Sequence, residues 1–309
     1  MQGYFIFMIS NIDQIKAAAN IADIISPHIK LKKHGHNLVG ICPFHSEKTP
    51  SFTVTEAKGI YKCFGCGKSG DAIQFLIDHE NLNYIQAIKF IAEKYNIPIE
   101  EEKKTYEQPA QRLEKLQPDT IKYFEGRGIS NNTLLRFNIT ETTEWMPKSN
   151  ADTRAICFNY FKDSQLVNIK FRAKDKDFKL AKNAELIFYN LDSLQDETTA
   201  IIVEGEIDCL SMYEAGFYNV VSVPNGAGTG NQQLKYLDNC WQYFDDKEKI
   251  IIFTDNDEPG KNLKEELARR LGKDRCMFVD YPDGCKDAND VLLKHGKGMI
   301  TSMVEQARR

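Results

Sequence analysis

The chain has 309 residues, of which 42% are hydrophobic and 27% are charged, and its net charge is −4. This length exceeds what one hydrophobic core usually organises, so we expect two or three globular domains. The small excess of acid argues against a protein that coats nucleic acid by bulk charge. No stretch has the composition of a transmembrane helix, so we expect no association with membranes.

The first seven residues are apolar but too short, and too poor in basic residues, for a signal peptide. We therefore expect translation to start at Met8. The eight cysteines fall partly at metal-binding spacing and otherwise singly among ordinary residues. This pattern predicts reduced thiols in a cytoplasmic protein.

The N-terminal hundred residues predict a small mixed domain. Apolar residues at helical spacing indicate a helix near residues 11–25, and short runs indicate strands at 37–41, 51–55 and 59–62. Two helices follow, one opening at residues 70–71 and one over about 84–95. We assign residues 8–99 to this domain.

Two pairs of metal-seeking residues lie within it. Cys42-x-x-His45 and Cys63-x-x-Cys66 are separated by seventeen residues, enough for a hairpin to bring the pairs together. Thiolates and an imidazole in this pattern predict one closed, tetrahedral, structural zinc site. The alternative is that these are core cysteines and a surface histidine, but two matching spacings in a small domain rarely coincide.

The same domain interleaves aromatic and basic residues. From residue 28 to 68, seven lysines face two acids. Such a mixture suits unpaired bases stacked on rings with phosphates on ammonium groups, although a small zinc module also needs aromatics for its core. The candidates for reading a nucleic-acid strand are Phe44, Lys48, Phe52, Lys58, Tyr61 and Lys62.

Residues 100–118 are charged and contain two prolines, so we interpret them as a flexible linker. Residues 119–198 mix helices with strands near 154–160 and 166–172, an antiparallel α+β pattern. From residue 199 to 309, apolar strands alternate with amphipathic helices, including helices near 207–215 and 232–244. Alternation of this kind predicts an α/β domain with a parallel sheet, whose ligands gather where the strands end.

Acidic residues stand at two such strand ends. Glu204 follows one predicted strand, with Asp208 four residues on, and Asp255-x-Asp257 follows another. Helix-start acids exposed to water are the alternative, since carboxylates are favoured at helix N-termini. Because several carboxylates in one place repel one another, their convergence predicts a catalytic divalent cation.

A basic run precedes this domain. Lys170, Arg172, Lys174, Lys176 and Lys179 form either a solvated strand face or a set of phosphate contacts beside the metal. Lys170 and Arg172 alternate with apolar residues, which directs both cations to one side of a strand.

With these motifs placed, the chain resembles the DNA primases of bacteria and phages, which join a CHC2 zinc-binding domain to a TOPRIM polymerase domain. The pattern is closest to the primase half of phage primase-helicases and to Twinkle-like proteins. The motifs that carry the resemblance are Glu204-Gly-Glu-Ile-Asp208, Val221-Ser-Val-Pro-Asn-Gly226, Asp255-Asn-Asp-Glu-Pro-Gly260, Lys286-Asp-Ala-Asn289 and Gly126-Arg-Gly-Ile-Ser130.

This resemblance implies a function in the cytoplasm of a bacterium or of a phage-infected host: synthesis of short RNA primers from NTPs on single-stranded DNA, with the zinc domain reading a short template sequence. It implies that Asp287 joins Glu204, Asp208, Asp255 and Asp257 in holding one or two Mg²⁺ or Mn²⁺ ions. It further implies nucleotide and template contacts by Lys170, Arg172, Lys176 and Lys179. The expected partner is a replicative helicase, acting in trans or as a missing C-terminal part.

Two other functions are compatible with the same motifs. A TOPRIM domain also serves metal-dependent nucleases, and a non-catalytic adaptor could bind single-stranded DNA while docking a helicase. The full set of acids argues against the adaptor, because a binding platform would not need them.

Overall fold

The computed structural model describes residues 3–80, 82, 84–112, 114–227, 234–273 and 275–309. They form two compact units, one built mainly from Ile6–Lys104 and the other mainly from Thr105–Leu267 and the residues after 274. The combination of an N-terminal zinc ribbon with α+β and parallel-sheet regions confirms the predicted fold class. Among the described helices, none has the length and apolar character needed to cross a membrane.

The chain begins with strand β1 (Gly3–Ile9) and helices α1 (Ile12–Ala18) and α2 (Ile21–Ile25). The prediction of a single helix over 11–25 was wrong, because Asn20 interrupts it. Its side-chain oxygen accepts hydrogen bonds from the N–H groups of Ala22 and Asp23 at 2.9 and 3.3 Å. Asn20 therefore caps a new helix instead of continuing the first.

A five-stranded antiparallel sheet follows, and its strands agree with the predicted runs to within a residue or two. It consists of β2 (Lys32–His34), β3 (Asn37–Gly40), β4 (Phe52–Thr55), β5 (Ile60–Cys63) and β6 (Ser69–Gly70). Helices α3 (Ala72–Glu80) and α4 (Tyr84–Lys94) complete the unit. Its core contains an aromatic cluster beside buried aliphatic residues: the fully buried rings of Phe52 and Tyr61 stack with centroids 5.0 Å apart, and buried Phe75 meets both edge-on.

The segment predicted as a flexible linker contains a strand, β7 (Glu101–Glu107), which pairs with β1. Its charged sequence shows no alternation of apolar and polar residues. Because the strand pairs with β1 through backbone hydrogen bonds, which any sequence can form, the pairing could not be recognised from the sequence. The assignment of this segment as an unstructured tether was wrong for these residues. The four domain boundaries stay a prediction.

In the larger unit, helices α5 (Pro118–Glu125) and α6 (Asn131–Arg136) precede a four-stranded antiparallel sheet. In sheet order its strands are β11 (Asp177–Leu180), β10 (Gln165–Ala173), β9 (Ala151–Lys162) and β8 (Thr140–Met146). This arrangement confirms the expected antiparallel α+β region.

The remaining strands are parallel, as predicted. The sheet order is β13 (Val220–Ser222), β12 (Thr199–Val203), β14 (Lys249–Phe253) and β15 (Cys276–Phe278). Val203 lies opposite Ser222 on one side and Phe253 on the other, so these strands end together at one edge. That edge receives the residues that follow each strand.

The helices of this α/β region are α7 (Glu206–Glu214), α8 (Lys235–Asn239), α9 (Glu258–Leu271), α10 (Ala288–His295) and α11 (Lys297–Glu305). The helix predicted over 232–244 is shorter than expected. Residues 232 and 233 lie outside the described residues, and α8 ends at Asn239 before a 3₁₀ turn over Trp241–Tyr243.

The start of α9 lies against the backbone that follows β14. A Cβ atom at Gly260 would come within 2.1 Å of the carbonyl oxygen of Asp255, a distance that no side chain can adopt. In addition, the Thr254 hydroxyl donates a hydrogen bond to the Gly260 carbonyl oxygen at 2.9 Å. Glycine at position 260 therefore fixes how closely the helix approaches Asp255.

We expect Gly260→Ala to lower the free energy of unfolding by about 3 kcal/mol, because the added methyl group overpacks a backbone contact. Urea denaturation of the full-length chain measures this change. Gly298→Ala is the matched control, since a Cβ there meets nothing within 4 Å. Equal midpoints for the two variants would contradict the packing argument.

Candidate functional site

The Cys/His tetrad is assembled by the hairpins of the smaller unit. Cys42 follows β3, Cys63 ends β5, and the turns after them supply His45 and Cys66. Their donor atoms all lie within 4.8 Å of one another. Sulfur atoms on a tetrahedral zinc ion with bonds of about 2.3 Å stand about 3.8 Å apart, and Cys42 Sγ and Cys66 Sγ are separated by 3.8 Å. The donor set therefore fits zinc.

A second layer of polar groups, which the sequence interpretation missed, holds the tetrad. The Glu47 carboxylate accepts hydrogen bonds from the Cys42 N–H at 2.7 Å and from the Ser51 hydroxyl at 2.5 Å, and it lies 3.2 Å from His45 Nε2. His45 Nδ1, in turn, lies 3.8 Å from Cys63 Sγ. Glu47 thus orients the imidazole with Nδ1 toward the metal position. In the sequence, the only indication of this role is that Glu47 follows the proposed ligand His45 by two residues.

The Cys63 thiol is prepared for metal binding. Burial raises its pKa, but the adjacent Ser51 hydroxyl, 3.2 Å away, and hydrogen bonds from the N–H groups of Cys66 and Gly65 outweigh burial and lower the pKa. Because the thiolate is the metal-binding form, these donors favour the form that zinc requires.

The predicted reading surface needs correction. Phe52 and Tyr61 have no exposed surface, because they form the aromatic core, and bases cannot stack on them. Phe44 is half-buried and packs edge-on against Phe75 at 5.8 Å. Lys48, Lys58 and Lys62 are exposed, as a contact surface requires.

Phe64, between Cys63 and Cys66, is a strongly exposed ring of this unit, and Phe90 is exposed to a lesser degree. Phe64 is 70% exposed, and Lys62 Nζ stands 5.4 Å from its centroid. Its side chain, Lys58 and Lys62 line one shallow groove along the sheet. The interleaved sequence pattern included this ring but gave no means of separating it from the buried ones.

The acidic residues meet at the edge where the parallel strands end. Glu204 follows β12, Asp208 lies in the first turn of α7, Asp255 follows β14, and Asp287 caps α10 through the Asp290 N–H at 2.7 Å. All four line one cavity of about 510 Å³. Asp257 does not line it: this residue is exposed, and its carboxylate accepts a hydrogen bond from the Gly260 N–H at 2.9 Å.

Burial and mutual repulsion perturb these carboxylates. Burial first, and then the neighbouring Glu204, Asp287 and Asp257, raise the pKa of Asp255 to about 7. Burial together with Asp287 and Asp255 raises the pKa of Asp208 well above its usual range. Burial raises the pKa of Glu204 as well. Oxygen donors under such repulsion fit a hard divalent cation, which relieves it.

Basic residues line the same cavity. The predicted Lys170, Arg172, Lys176 and Lys179 are joined there by Arg127 and Lys286, which the sequence interpretation did not assign. The cavity also borders a larger one of about 890 Å³, which shares Arg127, Arg172 and Lys176 with it. The Arg172 guanidinium lies over the Tyr123 and Phe178 rings, at 5.5 and 5.1 Å from their centroids.

Lys170 has an internal partner. Its ammonium group lies 2.8 and 3.0 Å from the two carboxylate oxygens of Glu206, which is only 5% exposed. The Tyr160 hydroxyl donates a hydrogen bond to the same carboxylate at 2.5 Å. The predicted phosphate contact is therefore part of a buried ion pair in this structure. Lys179 similarly lies 3.0 Å from Glu144.

Asn289, which the sequence interpretation also missed, links Asp208 to the preceding α+β region. Its backbone N–H donates to Asp208 Oδ1 at 3.1 Å. Its side chain accepts from Arg127 Nη1 at 3.0 Å and donates to the Arg127 carbonyl oxygen and the Ser211 hydroxyl at 2.8 and 2.9 Å. Arg127 and Asn289 could have been found from the sequence, because they lie in the motifs Gly126-Arg-Gly-Ile-Ser130 and Lys286-Asp-Ala-Asn289.

Comparison with known proteins agrees with this geometry. Residues 8–107 match the CHC2 zinc finger family, and residues 201–292 match a Toprim-like family. These two regions contain the Cys/His tetrad and the acidic edge, respectively.

Two relatives and one solved structure illustrate the similarity. The DNA primase of Clostridium acetobutylicum is 30% identical over 96% of this chain and 58% of its own length. The chloroplastic/mitochondrial Twinkle homolog protein of Arabidopsis thaliana is 37% identical over 68% of this chain and 31% of its own. The chain spans less than two thirds of either relative.

The solved structure is the complex of bacteriophage T7 lagging-strand DNA polymerase with primase domains bound to an RNA/DNA hybrid and dTTP. One of its chains is 27% identical, with a TM-score of 0.52, over 64% of this chain and 93% of that one. The chain therefore carries, in order, a CHC2 zinc finger and a Toprim-like domain, and it is a homologue of DNA primases.

Proposed function

We propose that the chain synthesises short RNA primers from NTPs on a single-stranded DNA template by metal-dependent nucleotidyl transfer. The observation that carries the proposal is one cavity whose wall combines five carboxylates with six basic residues, of which only Glu206 and Lys170 are taken up by the buried ion pair described above. Metal-binding oxygens beside a cationic wall match the needs of a triphosphate whose charge shifts during transfer.

In the proposed reaction, the 3′-hydroxyl of one nucleotide attacks the α-phosphorus of the next. The new P–O bond forms as the bond to the β-phosphate breaks, pyrophosphate leaves, and the hydroxyl proton passes to water or to a carboxylate. The proposed ligands of Mg²⁺ or Mn²⁺ are Glu204, Asp208, Asp255, Asp257 and Asp287. One or two such ions would supply charge stabilisation to the attacking and leaving oxygens.

Asp257 stays in this set although it faces away from the cavity. Its negative charge raises the pKa values of both Glu204 and Asp255, and this electrostatic coupling supports keeping it in the proposed set. Arg172, Lys176 and Lys179 are the proposed phosphate contacts, with Arg127 as an addition. The larger neighbouring cavity, which shares Arg172 and Lys176, is the proposed path for the template.

The zinc module is the proposed reader of the template. Phe64 takes the place of the buried rings as the base-stacking platform, with Lys48, Lys58 and Lys62 near the phosphates. A replicative helicase, either as a separate protein or as a further part of the same polypeptide, is the proposed partner. Zinc in the tetrad would hold the hairpins that present this surface.

We expect Asp255→Asn to abolish primer synthesis, because it removes a metal ligand from the acidic edge. The assay incubates labelled NTPs and Mg²⁺ with a pool of single-stranded templates. Asp196→Asn, a change at an exposed acid away from the cavity, is the control and should retain full activity. Full activity in Asp255→Asn would refute the role of this residue, and cleaved templates without RNA would favour a nuclease.

The metal-free protein should be stabilised by the same substitution at high pH. The folded-state pKa of Asp255, about 7, exceeds the value of about 3.9 in an unfolded chain, so this group's contribution to stability falls as pH rises between the two. We expect Asp255→Asn to melt at a higher temperature than the wild type at pH 8 in EDTA, with a smaller difference at pH 5.5. Added Mg²⁺ should raise the wild-type Tm more than that of the variant. A variant less stable at pH 8 would contradict this balance.

Phe64→Ala should weaken binding of single-stranded DNA by about tenfold, the loss expected for one stacked base. Fluorescence anisotropy with a labelled oligonucleotide measures the affinity, while zinc content and Tm should stay unchanged because the ring is exposed. Leu135→Ala, at a 71% exposed apolar residue of the larger unit, is the matched control. Unchanged affinity in Phe64→Ala would remove this ring from the reading surface.

A further inference from the structure

A second group of potential metal ligands lies in the smaller unit, away from the Cys/His tetrad. His28 follows α2, and His79 and Glu80 end α3. Glu80 Oε1 lies 3.1 Å from His28 Nδ1 and 2.8 Å from His79 Nδ1. The three ligand atoms lie within 4.8 Å of one another. Two imidazole nitrogens thus converge on one carboxylate oxygen.

The two rings are held by the aromatic core. His79 stacks on Phe75 with centroids 5.1 Å apart and planes 12° apart. His28 lies 5.6 Å from Phe75 and 4.6 Å from His79. Because Phe75 is fully buried, the imidazoles are restrained before any ligand arrives. A site arranged in advance loses less conformational entropy on binding.

The charges of the group are incompletely balanced. In the part of the chain that the structure describes, the ion-pair partners recorded for Glu80 are His28 and His79. Burial, followed by His79 and then Lys94, lowers the pKa of His28, while Glu80 opposes them. The lowered pKa of His28 favours the uncharged form of this imidazole, which is the form that binds metal.

We propose that His28, His79 and Glu80 form a second metal site, which takes a divalent transition ion of the Zn²⁺ or Co²⁺ kind. Two imidazole nitrogens and one carboxylate oxygen are donors suited to such ions and poorly suited to Mg²⁺. The side chains of the three residues are 21%, 26% and 37% exposed, which leaves an entry path and room for water ligands. This site is independent of the proposed primer synthesis.

Occupancy would tie the turn after α2 to the end of α3. It would also restrain the aromatic cluster next to the tetrad, because the ring centroids of His79 and Phe44 lie 6.2 Å apart. Phe44 directly precedes the proposed zinc ligand His45. The bound ion would thus stabilise the module that presents the proposed reading surface.

The test titrates Co²⁺ into the full-length chain that already carries one zinc per molecule, as verified by elemental analysis. Beyond any Co²⁺ held by the carboxylates of the larger unit, we expect one equivalent to bind, with weak visible absorption typical of nitrogen and oxygen ligands and without the near-ultraviolet bands of cobalt–thiolate bonds. The variant His28→Gln/His79→Gln should lose this binding by on the order of tenfold or more. The matched control is His34→Gln/His36→Gln, at two exposed histidines of the same unit.

Zinc content and Tm before the titration show whether each variant is folded, and Glu80→Gln replaces the double variant should it fail to fold. Equal Co²⁺ affinity in the wild type and the ligand variants would overturn the proposal. So would an absence of binding, or a spectrum with thiolate bands, which would place the added metal in the tetrad.

Discussion

Repulsion among carboxylates that are partly removed from water is the constraint on which the larger unit depends. Parallel pairing places Val203 opposite Phe253, so Glu204 and Asp255 emerge side by side, and the starts of α7 and α10 bring in Asp208 and Asp287. Burial first, and then the neighbouring carboxylates, raise the pKa of Asp255. A buried sheet and the close contact at Gly260 resist the separation that the charges favour. Clustering these carboxylates lowers the stability of the folded larger unit, and it creates a site that attracts a divalent cation.

In the smaller unit, the tetrad is joined to the packed core. That core contains a cluster of rings around Phe75, and the tetrad joins that cluster through Phe44, the neighbour of His45. Metal binding and core packing are therefore coupled, because a ligand of the proposed zinc ion lies next to a ring of the core. Glu47 contacts two ligands at once: its carboxylate accepts a hydrogen bond from the backbone N–H of Cys42 and lies beside the ring of His45.

Much of this architecture could be predicted from the sequence, because apolar runs and turn residues are local signals. The strands around the tetrad, the parallel sheet and the acids at its edge follow from such patterns together with the rules of parallel topology. The break at Asn20 could not be predicted from periodicity, because a side chain competes there with the helix backbone. Strand β7 could not be predicted either, because it pairs through backbone groups that leave no pattern in the side chains. Phe52, Tyr61 and Phe64 look alike in sequence, and only the pairing register decides which rings are buried.

The ion pair between Glu206 and Lys170 bears on how the cavity distributes charge. Glu206 belongs to the same Glu-Gly-Glu-Ile-Asp motif as two of the acids at the edge, yet its charge is cancelled by Lys170 and its oxygen is shared with Tyr160. It therefore adds little to the negative potential around Glu204 and Asp208. In the same way, Lys170 adds little to the positive wall. The ion pair therefore removes one acidic and one basic side chain from the charges that a cation or a polyanion would meet in the cavity.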